Sequence, residues 1–257
     1  MDMEIPRIDA ITGWLRGYLE STGAQGFVLG LSGGVDSAAA GALAARAADP
    51  EHVLGVLMPC HSMPQDAELG QRVADAFSIP TLMCNLTSAY DALIAALPPT
   101  EHPMAAANLK PRLRMSTLYY LAQSRHCLVL GASNRTEIMV GYFTKHGDSG
   151  VDLLPLGDLY KTEVWELARQ LGVPDEVVTR PPTAGLWPGQ TDEGEMGITY
   201  RELDRALTAL EAGDAALAAA QIEPAVLQKV QQMVACSAHK RRMAPVFPVP
   251  GRAAWWV

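Results

Sequence analysis

The sequence predicts an α/β protein with an open parallel sheet flanked by helices, and three observations carry that prediction. Short apolar runs rich in strand-forming residues alternate with helical patterns from residue 27 to residue 130. A helix between successive strands permits a right-handed crossover and therefore parallel pairing. A glycine-rich turn follows the first strand, at the carboxyl edge where ligands bind in such sheets.

The strands and the helices around them follow from periodicity. Apolar residues from Ile5 to Leu19 recur at helical spacing and stop at Gly23, which predicts an amphipathic N-terminal helix. The apolar runs predict strands over residues 27–31, 53–58, 81–86 and 127–130. The helical patterns between them cover residues 37–47, 65–77 and 90–97.

Prolines and glycines mark the remaining boundaries. The prolines in residues 98–103 predict a mobile loop, and Asn108 is expected to cap a helix that runs to about residue 125. Arg112 and Arg114 are two apart on that helix, so only one of them need face a ligand. Further helices are predicted over residues 156–172, 192–218 and 223–241, with a loop over 180–190. The proline-rich end of the chain carries Trp255 and is expected to dock on a partner or on the chain itself.

The turn from Ser32 to Ser37, SGGVDS, predicts a phosphate-binding loop. Backbone without Cβ atoms can bring successive N–H groups toward an anion, and the following helix N-terminus adds roughly half a positive charge. The spacing fits neither the Walker A loop nor the dinucleotide fingerprint. It resembles the pyrophosphate loop of the N-type ATP pyrophosphatases, which holds the β and γ phosphates while the α-phosphate is attacked. An ordinary βα turn capped by Ser and Asp is the weaker alternative.

Composition narrows the class of protein. The 257 residues, 49 % hydrophobic and 19 % charged, suit a single domain over residues 1–257. A formal net charge of −8 argues against a nucleic-acid partner, and by itself the basic run at 239–242 indicates a solvated helix end. No apolar stretch approaches the roughly 20 residues of a membrane span, and the acidic N-terminus is no signal peptide.

The four cysteines, Cys60, Cys84, Cys127 and Cys236, are far apart and form no CxxC pair. This spacing predicts buried thiols in a reducing, cytoplasmic protein. It also weakens a zinc-binding or tRNA-thiolating function.

Five motifs, in order along the chain, resemble those of the NAD synthetases in their ammonia-dependent, single-domain form. They are SGGVDS at 32–37, NLKPRLRM at 108–115, GYFTKHGDSGVDLLPLGDLYKTEV at 141–164, PTAGLWPGQTDEGEMG at 182–197 and HKRR at 239–242. The resemblance covers nearly the whole chain. It implies an adenine-nucleotide alpha-hydrolase-like (Rossmann-like) fold with the pyrophosphate loop after the first strand. Two positions depart from the family pattern: Ala132 stands where relatives often have an ATP-contacting threonine, and Pro111 replaces a usual alanine.

The resemblance implies a role for each matching residue. Asp36 and Glu137 match the carboxylates that hold Mg²⁺, and Lys161 matches a lysine that stabilises charge on the α-phosphate of ATP. Asp36, Lys161 and Asp152 are the expected catalytic residues, with Asp152 a candidate base for ammonia. The expected ATP-binding residues are Gly30, Leu31, Ser32, Gly33, Gly34, Val35, Asp36, Ser37, Lys161 and Thr183. The expected substrate-binding residues are Arg112, Phe143, Lys145, Asp152, His239 and Lys240, with Phe143 stacked on the pyridine ring.

The implied reaction is ATP-dependent amidation of nicotinic acid adenine dinucleotide to NAD by ammonia, through an acyl-adenylate, with release of AMP and pyrophosphate. ATP supplies a good leaving group, so no protein nucleophile is needed. The chain length and the lack of a catalytic cysteine motif favour ammonia over glutamine. The family also implies a homodimer with the dinucleotide across its interface, which suits the apolar N-terminal helix and the aromatic tail. Two alternatives stay open: another pyrophosphate-loop amidating ligase, such as a GMP synthetase-like enzyme, and a non-catalytic ATP-binding α/β protein.

Overall fold

A four-stranded parallel sheet forms the centre of the computed structural model, which describes residues 5–187, 189–213 and 220–247. The strand order is β3-β2-β1-β4, and every pairing is parallel. The strands are β1 (Phe27–Gly30), β2 (Val53–Leu57), β3 (Thr81–Met83) and β4 (Leu128–Val129). The predicted fold class is therefore confirmed, and β1, next to both β2 and β4, delivers the glycine-rich turn to the middle of the carboxyl edge.

In addition to two short 3₁₀ helices, the described residues form twelve α-helices. They are α1 (Ile5–Thr22), α2 (Val35–Ala48), α3 (Pro64–Ala76), α4 (Thr87–Ala96), α5 (Pro103–Ala107), α6 (Leu109–Arg125), α7 (Arg135–Val140), α8 (Lys161–Leu171), α9 (Asp175–Val178), α10 (Asp192–Met196), α11 (Tyr200–Ala212) and α12 (Pro224–Cys236). No helix of the described ranges is both long and apolar enough to cross a membrane.

Helix α2 lies at the centre of the main core, packed against β1, α1 and α8. Its alanines are nearly all buried, and these small side chains let the helix approach the sheet closely. At Gly41 an added Cβ would lie 3.3 Å from Leu31 Cδ2 and 3.6 Å from Leu29 Cδ1, so glycine leaves room for these leucines. The start of α2, and with it the Ser32–Ser37 turn, is thereby fixed against the sheet.

A smaller apolar cluster joins α7, α10, α11 and α12, with Tyr200, Leu203 and Leu207 fully buried. Trp165 of α8 packs against both clusters and makes an edge contact with Tyr200. The smaller cluster supports the segments on which Glu137 and Asp192 lie.

Three helix predictions are wrong at their boundaries, and the one over 223–241 covers only Pro224–Cys236. The helix predicted over 156–172 begins only at Lys161, because Pro155 and Gly157 favour turns and the Glu163 carboxylate accepts the Tyr160 N–H at 2.8 Å, which fixes the helix start. The helix predicted over 192–218 is divided at Gly197, whose φ of +62° is left-handed, into α10 and α11. Residues 214–219 of that prediction lie outside the described ranges, as does Trp255 of the aromatic tail.

Asn108 and the cysteines also differ from expectation. Asn108 precedes α6 without a side-chain cap, because its Oδ1 accepts a hydrogen bond from Thr144 Oγ1 at 2.7 Å. All four thiols are free, but only Cys60 is buried, and Cys236 is exposed at the last turn of α12.

Candidate functional site

A cavity of about 700 Å³ opens at the carboxyl edge of the sheet. Its walls come from the turn after β1, the end of β2, α6, the segments 130–151 and 180–195, and the basic run after α12. Elements far apart in sequence thus meet at the edge where parallel sheets bind ligands. Of the predicted loop residues Gly30–Ser37, all except Gly33 line the cavity.

The turn after β1 is tied internally by its two serines. Ser37 Oγ donates to the Gly34 carbonyl at 3.0 Å and accepts the Ser32 N–H at 3.2 Å. Gly33 has a φ of +75°, and a Cβ there would lie 2.6 Å from the Asp66 carbonyl oxygen on α3, so this position requires glycine. No side chain caps α2 at Gly34, which leaves its first-turn N–H groups for an anion.

Lys161 lies between the two carboxylates predicted to hold a metal. Its ammonium is paired with Asp36 and lies 3.5 Å from Glu137 Oε1, and its side chain is 1 % exposed. Burial opposes the charge on Lys161, but Asp36 and Glu137 outweigh it and raise the pKa of the ammonium. Burial, followed by the charge of Asp36, raises the pKa of Glu137 to about 8, and Lys161 opposes that rise. The structure therefore brings together Asp36, Glu137 and Lys161 as the sequence predicted.

Local caps hold this triad in place. Asn134 caps α7 by accepting the Glu137 N–H at 3.0 Å, and its Nδ2 donates to Asp36 Oδ1 at 2.9 Å. Thr136 Oγ1 accepts the Lys161 N–H at 2.9 Å and is itself bonded to buried Asp204 of α11. The starts of α2, α7 and α8 are thus joined by side-chain hydrogen bonds, and one functional residue lies in the first turn of each.

A tyrosine network extends from the triad and was missed by sequence reasoning. Tyr200 OH donates to Asp192 Oδ2 at 2.9 Å and lies 3.4 Å from Glu137 Oε1, while Tyr142 OH donates to Asp192 Oδ1 at 3.1 Å. Burial and the neighbouring carboxylates raise the pKa of both tyrosines, which therefore act as hydrogen-bond donors. The signals in the sequence were the motifs at 141–164, which contains Tyr142, and at 182–197, which contains Asp192. Other cavity residues without a predicted role include Ser62, Asp66, Arg114, Asp148, Arg180 and Glu195.

The basic run at 239–242 is not a solvated helix end, because two of its side chains hold the segment that follows α7. Lys240 Nζ donates to the carbonyls of Gly141 at 2.7 Å and Phe143 at 2.9 Å, and it lies over the Phe143 ring. Arg241 Nη1 donates to the Met139 carbonyl at 2.6 Å, at the end of α7. These bonds satisfy helix-end carbonyls and shape one wall of the cavity.

Four further predicted substrate residues lie together on this wall. Lys145 Nζ donates to the His239 carbonyl at 2.8 Å, and Arg112 Nη2 donates to the Lys145 carbonyl at 3.2 Å. Arg112, Phe143, Lys145, His239 and Lys240 all line the cavity. Arg114 lines it as well and donates to the Met58 carbonyl at 3.1 Å, so Arg112 and Arg114 both reach the cavity although their spacing suggested that only one need do so.

Asp152 and Thr183 have different positions relative to the cavity. Asp152 does not line it: one carboxylate oxygen accepts Tyr119 OH at 3.0 Å and the other accepts the Val129 N–H at 2.8 Å. These hydrogen bonds tie Asp152 to α6 and β4, and its role as a catalytic and substrate-contacting group stays a prediction. Thr183 lines the cavity and accepts the Gly185 N–H at 3.1 Å.

The donor set at the triad fits Mg²⁺. Asp36 and Glu137 present two carboxylates beside an anion-binding turn, and Mg²⁺ is usually held by one or two carboxylates together with substrate phosphates and water. Within the described residues, no group of three His, Cys, Asp or Glu side chains forms an all-protein metal cage.

The parallel sheet, the uncapped glycine turn and the buried lysine beside paired carboxylates define a nucleotide-binding α/β protein. Comparison with known proteins identifies the family more closely: the NAD synthase family model matches residues 7–244, and the chain belongs to that family. It is 46 % identical over 244 residues to an NH(3)-dependent NAD(+) synthetase of Carboxydothermus hydrogenoformans, covering 93 % of this chain and 96 % of the relative.

Two solved structures confirm the adenine-nucleotide alpha-hydrolase-like fold. The NMN synthetase of Francisella tularensis superposes with a TM-score of 0.88 at 33 % identity, covering 97 % of this chain and 100 % of that one. The NH3-dependent NAD synthetase of Campylobacter jejuni, in complex with nitrate, superposes with a TM-score of 0.83 at 28 % identity, covering 96 % and 100 % of the two chains.

Proposed function

We propose that this chain uses ATP and ammonia to amidate nicotinic acid adenine dinucleotide, giving NAD, AMP and pyrophosphate. The observation that carries the proposal is the placement of Lys161, Asp36 and Glu137 beside the Ser32–Ser37 turn, in a chain of the NAD synthase family. Both alternatives lose support. The family match disfavours a GMP synthetase-like ligase, and the complete triad disfavours a protein that only senses ATP. We expect the reaction in the cytoplasm, where the substrates are available.

In the proposed mechanism the protein positions reactants and stabilises charge. The Ser32–Ser37 turn holds the β and γ phosphates, and Thr183 contacts the nucleotide. Asp36 and Glu137 would hold Mg²⁺, which when bound neutralises phosphate charge. Lys161 stabilises the charge that builds on the α-phosphate while the substrate carboxylate attacks it. Ammonia then attacks the acyl-adenylate and AMP leaves, so a good leaving group replaces an unreactive carboxylate oxygen.

The wall at 141–145 and 239–240 is assigned to the dinucleotide. Arg112, Lys145, His239 and Lys240 present cationic or polar groups to its phosphates and carboxylate, and Phe143 offers a ring for stacking.

Asp148 takes the place of Asp152 as the proposed acceptor of ammonia's proton. Asp148 lines the cavity, and burial raises the pKa of its carboxylate, which makes it a better base near neutral pH.

Incubation of the purified chain with ATP, Mg²⁺, ammonium chloride and the deamido-dinucleotide is expected to yield NAD, as identified by mass spectrometry. Activity at fixed total ammonium should rise with pH, because only unprotonated ammonia is a nucleophile. Glutamine at equal concentration should give little NAD. Formation of NAD from glutamine at a rate equal to that with ammonium would contradict the nitrogen donor proposed here.

The likeness to the Francisella NMN synthetase favours a second candidate substrate, the acid form of the mononucleotide. A competition assay separates the two: equal concentrations of deamido-dinucleotide and nicotinic acid mononucleotide are supplied together, and both amides are measured. We expect NAD to predominate, because the relative with 46 % identity is an NAD synthetase. Predominance of NMN would assign the mononucleotide instead.

The side of the molecule formed by β3, α4 and α6 is proposed to make a homodimer. Helix α4 is mostly apolar but has no buried residue, and β3 is an edge strand. Large apolar side chains are exposed there, namely Met83, Ile94, Leu97 and Tyr120. Unpaired strand edges and clustered apolar residues are typical of interfaces. In α1, by contrast, Ile8 and Leu15 are buried within the chain, which leaves less apolar surface than the sequence suggested.

A Tyr120→Asp variant is expected to elute as a monomer where the unaltered chain is a dimer, as measured by light scattering during size-exclusion chromatography. Tyr120 is 73 % exposed, so its replacement costs the monomer little. Tyr18→Asp on α1 is the matched control and should remain dimeric. Dissociation by the Tyr18 variant alone would move the interface to α1.

A further inference from the structure

Arg180 is a cation in contact with the glycine-rich turn to which the mechanism above gives no task. Its Nη1 donates to the Gly33 carbonyl at 3.4 Å, and its Nη2 is paired with the carboxylate of Asp66 on α3. The Arg180 side chain is 18 % exposed and that of Asp66 is 21 % exposed, and both residues line the cavity. A partly buried guanidinium thus lies at the edge of the loop and faces the space assigned to phosphates.

The departing pyrophosphate gains negative charge, which a cation in contact with the loop can stabilise. Backbone N–H groups contribute only partial charges, and the ammonium of Lys161 is already shared between Asp36 and Glu137. The cations Arg112, Lys145 and Lys240 are bonded to carbonyls on the opposite, dinucleotide wall. Lys161 is paired with the Asp36 side chain of the turn, and among the other described cations that line the cavity Arg180 is the one that donates a hydrogen bond to the turn's backbone.

We propose that Arg180 binds the β and γ phosphates of ATP and stabilises the departing pyrophosphate, and that Asp66 holds the guanidinium until phosphate takes it. The inference rests on the proposed function for its chemistry. As the carboxylate oxygen bonds to the α-phosphorus, the bond from that phosphorus to the β-bridging oxygen breaks. Its electron pair stays on pyrophosphate, and no proton moves. Arg180 stabilises the negative charge that develops on the pyrophosphate, and its guanidinium has the bidentate geometry that suits phosphate.

The chain offers a matched control on the same pair of segments. Arg72 of α3 donates through Nη1 to both carboxylate oxygens of Glu176 on α9 at 2.7 Å, so it also ties α3 to the segment that leads into Arg180. Its side chain is 59 % exposed, and it does not line the cavity. Loss of Arg72 therefore removes a brace of similar kind without removing charge from the phosphate space.

The test is calorimetric titration of the full chain with magnesium pyrophosphate. Arg180→Gln is expected to weaken binding by roughly tenfold or more, the size of one lost charge-assisted hydrogen bond. Arg72→Gln should bind within about twofold of the unaltered chain, because surface ion pairs contribute little. Asp66→Asn should bind at least as tightly as the unaltered chain, because it frees the guanidinium and keeps its charge.

The Asp66 variant separates phosphate binding from bracing. If the Arg180–Asp66 pair only supports the loop, Asp66→Asn weakens binding as much as Arg180→Gln does, and the proposal is overturned. Unchanged binding by Arg180→Gln overturns it as well. In steady-state assays Arg180→Gln should raise KM for ATP and leave KM for the deamido-dinucleotide unchanged. NAD formation by the unaltered chain is measured in a separate assay. If pyrophosphate binding depends on Arg180 but no NAD forms, the proposed amidation is contradicted while the phosphate-binding role of Arg180 is retained.

Discussion

An Asp36→Asn variant is expected to lose pyrophosphate release by roughly three orders of magnitude while remaining folded. The carboxylate of Asp36 is the proposed ligand for Mg²⁺ and the ion-pair partner of Lys161, and its other oxygen accepts Asn134 Nδ2 at 2.9 Å. An amide keeps the shape of the side chain but removes the charge. Loss of several kcal/mol of charge stabilisation in the transition state corresponds to roughly that factor in rate.

The measurement is a coupled assay of pyrophosphate release at saturating Mg²⁺, with circular dichroism as the check on folding. Asp91→Asn is the control, because Asp91 is also paired, with His61 at 2.7 Å, but lies outside the cavity lining. The control should release pyrophosphate at the rate of the unaltered chain. Release at that same rate by Asp36→Asn would show that the carboxylate is structural.

A Lys161→Met variant is expected to lose both activity and stability. Methionine approximates the length of the lysine chain, so little volume is lost, but Asp36 and Glu137 then face each other without their cation. Removing one partner of a buried ion pair costs about 3–5 kcal/mol of unfolding free energy. The loss of pyrophosphate release should be at least as large as for Asp36→Asn, because the cation for the α-phosphate is removed.

Lys110→Met is the matched control for Lys161→Met. It also removes a buried ammonium, but one outside the proposed catalytic residues. Lys110 is 6 % exposed and donates to the Leu186 carbonyl at 2.6 Å, away from the carboxylate pair. In urea titrations this control should be destabilised less than Lys161→Met, and its pyrophosphate release should stay within roughly tenfold of the unaltered rate, because the triad is intact. Equal effects of the two variants on release would contradict the role given to Lys161.

The sheet and the turn could be predicted because their signals are local. The strand runs, the alanine-rich α2 and the SGGVDS turn depend on residues near one another in sequence. The resemblance of motifs to a known family indicated which residues distant in sequence share one site. Lys161 and Asp36 are 125 residues apart, so no periodicity indicates that they pair. Their contact follows from the packing of α2 against α8 in one core.

Where local rules failed, a distant partner was decisive. Asn108 was expected to cap α6, but the hydroxyl of Thr144 takes its side-chain oxygen. The Asp152 carboxylate accepts hydrogen bonds from Tyr119 OH and the Val129 N–H, a pairing that no local pattern predicts. The charge of the run at 239–242, taken alone, predicted that Lys240 lies in solvent. The backbone carbonyls of residues 141 and 143 instead accept hydrogen bonds from its ammonium. In each case the sequence identifies a side chain that can form hydrogen bonds, and the tertiary structure determines which partner it bonds to.

The fate of the substrate's carboxylate oxygen tests most directly whether Ser32–Ser37 is a pyrophosphate loop. If that turn holds the β and γ phosphates as the leaving group, the carboxylate attacks the α-phosphorus and one of its oxygens leaves within AMP. Deamido-dinucleotide labelled with oxygen-18 in the nicotinate carboxylate should therefore transfer one label to AMP and none to pyrophosphate, as measured by mass spectrometry. Label in inorganic phosphate, with ADP as the co-product, would mean attack at the γ-phosphorus and would contradict the assignment of the loop.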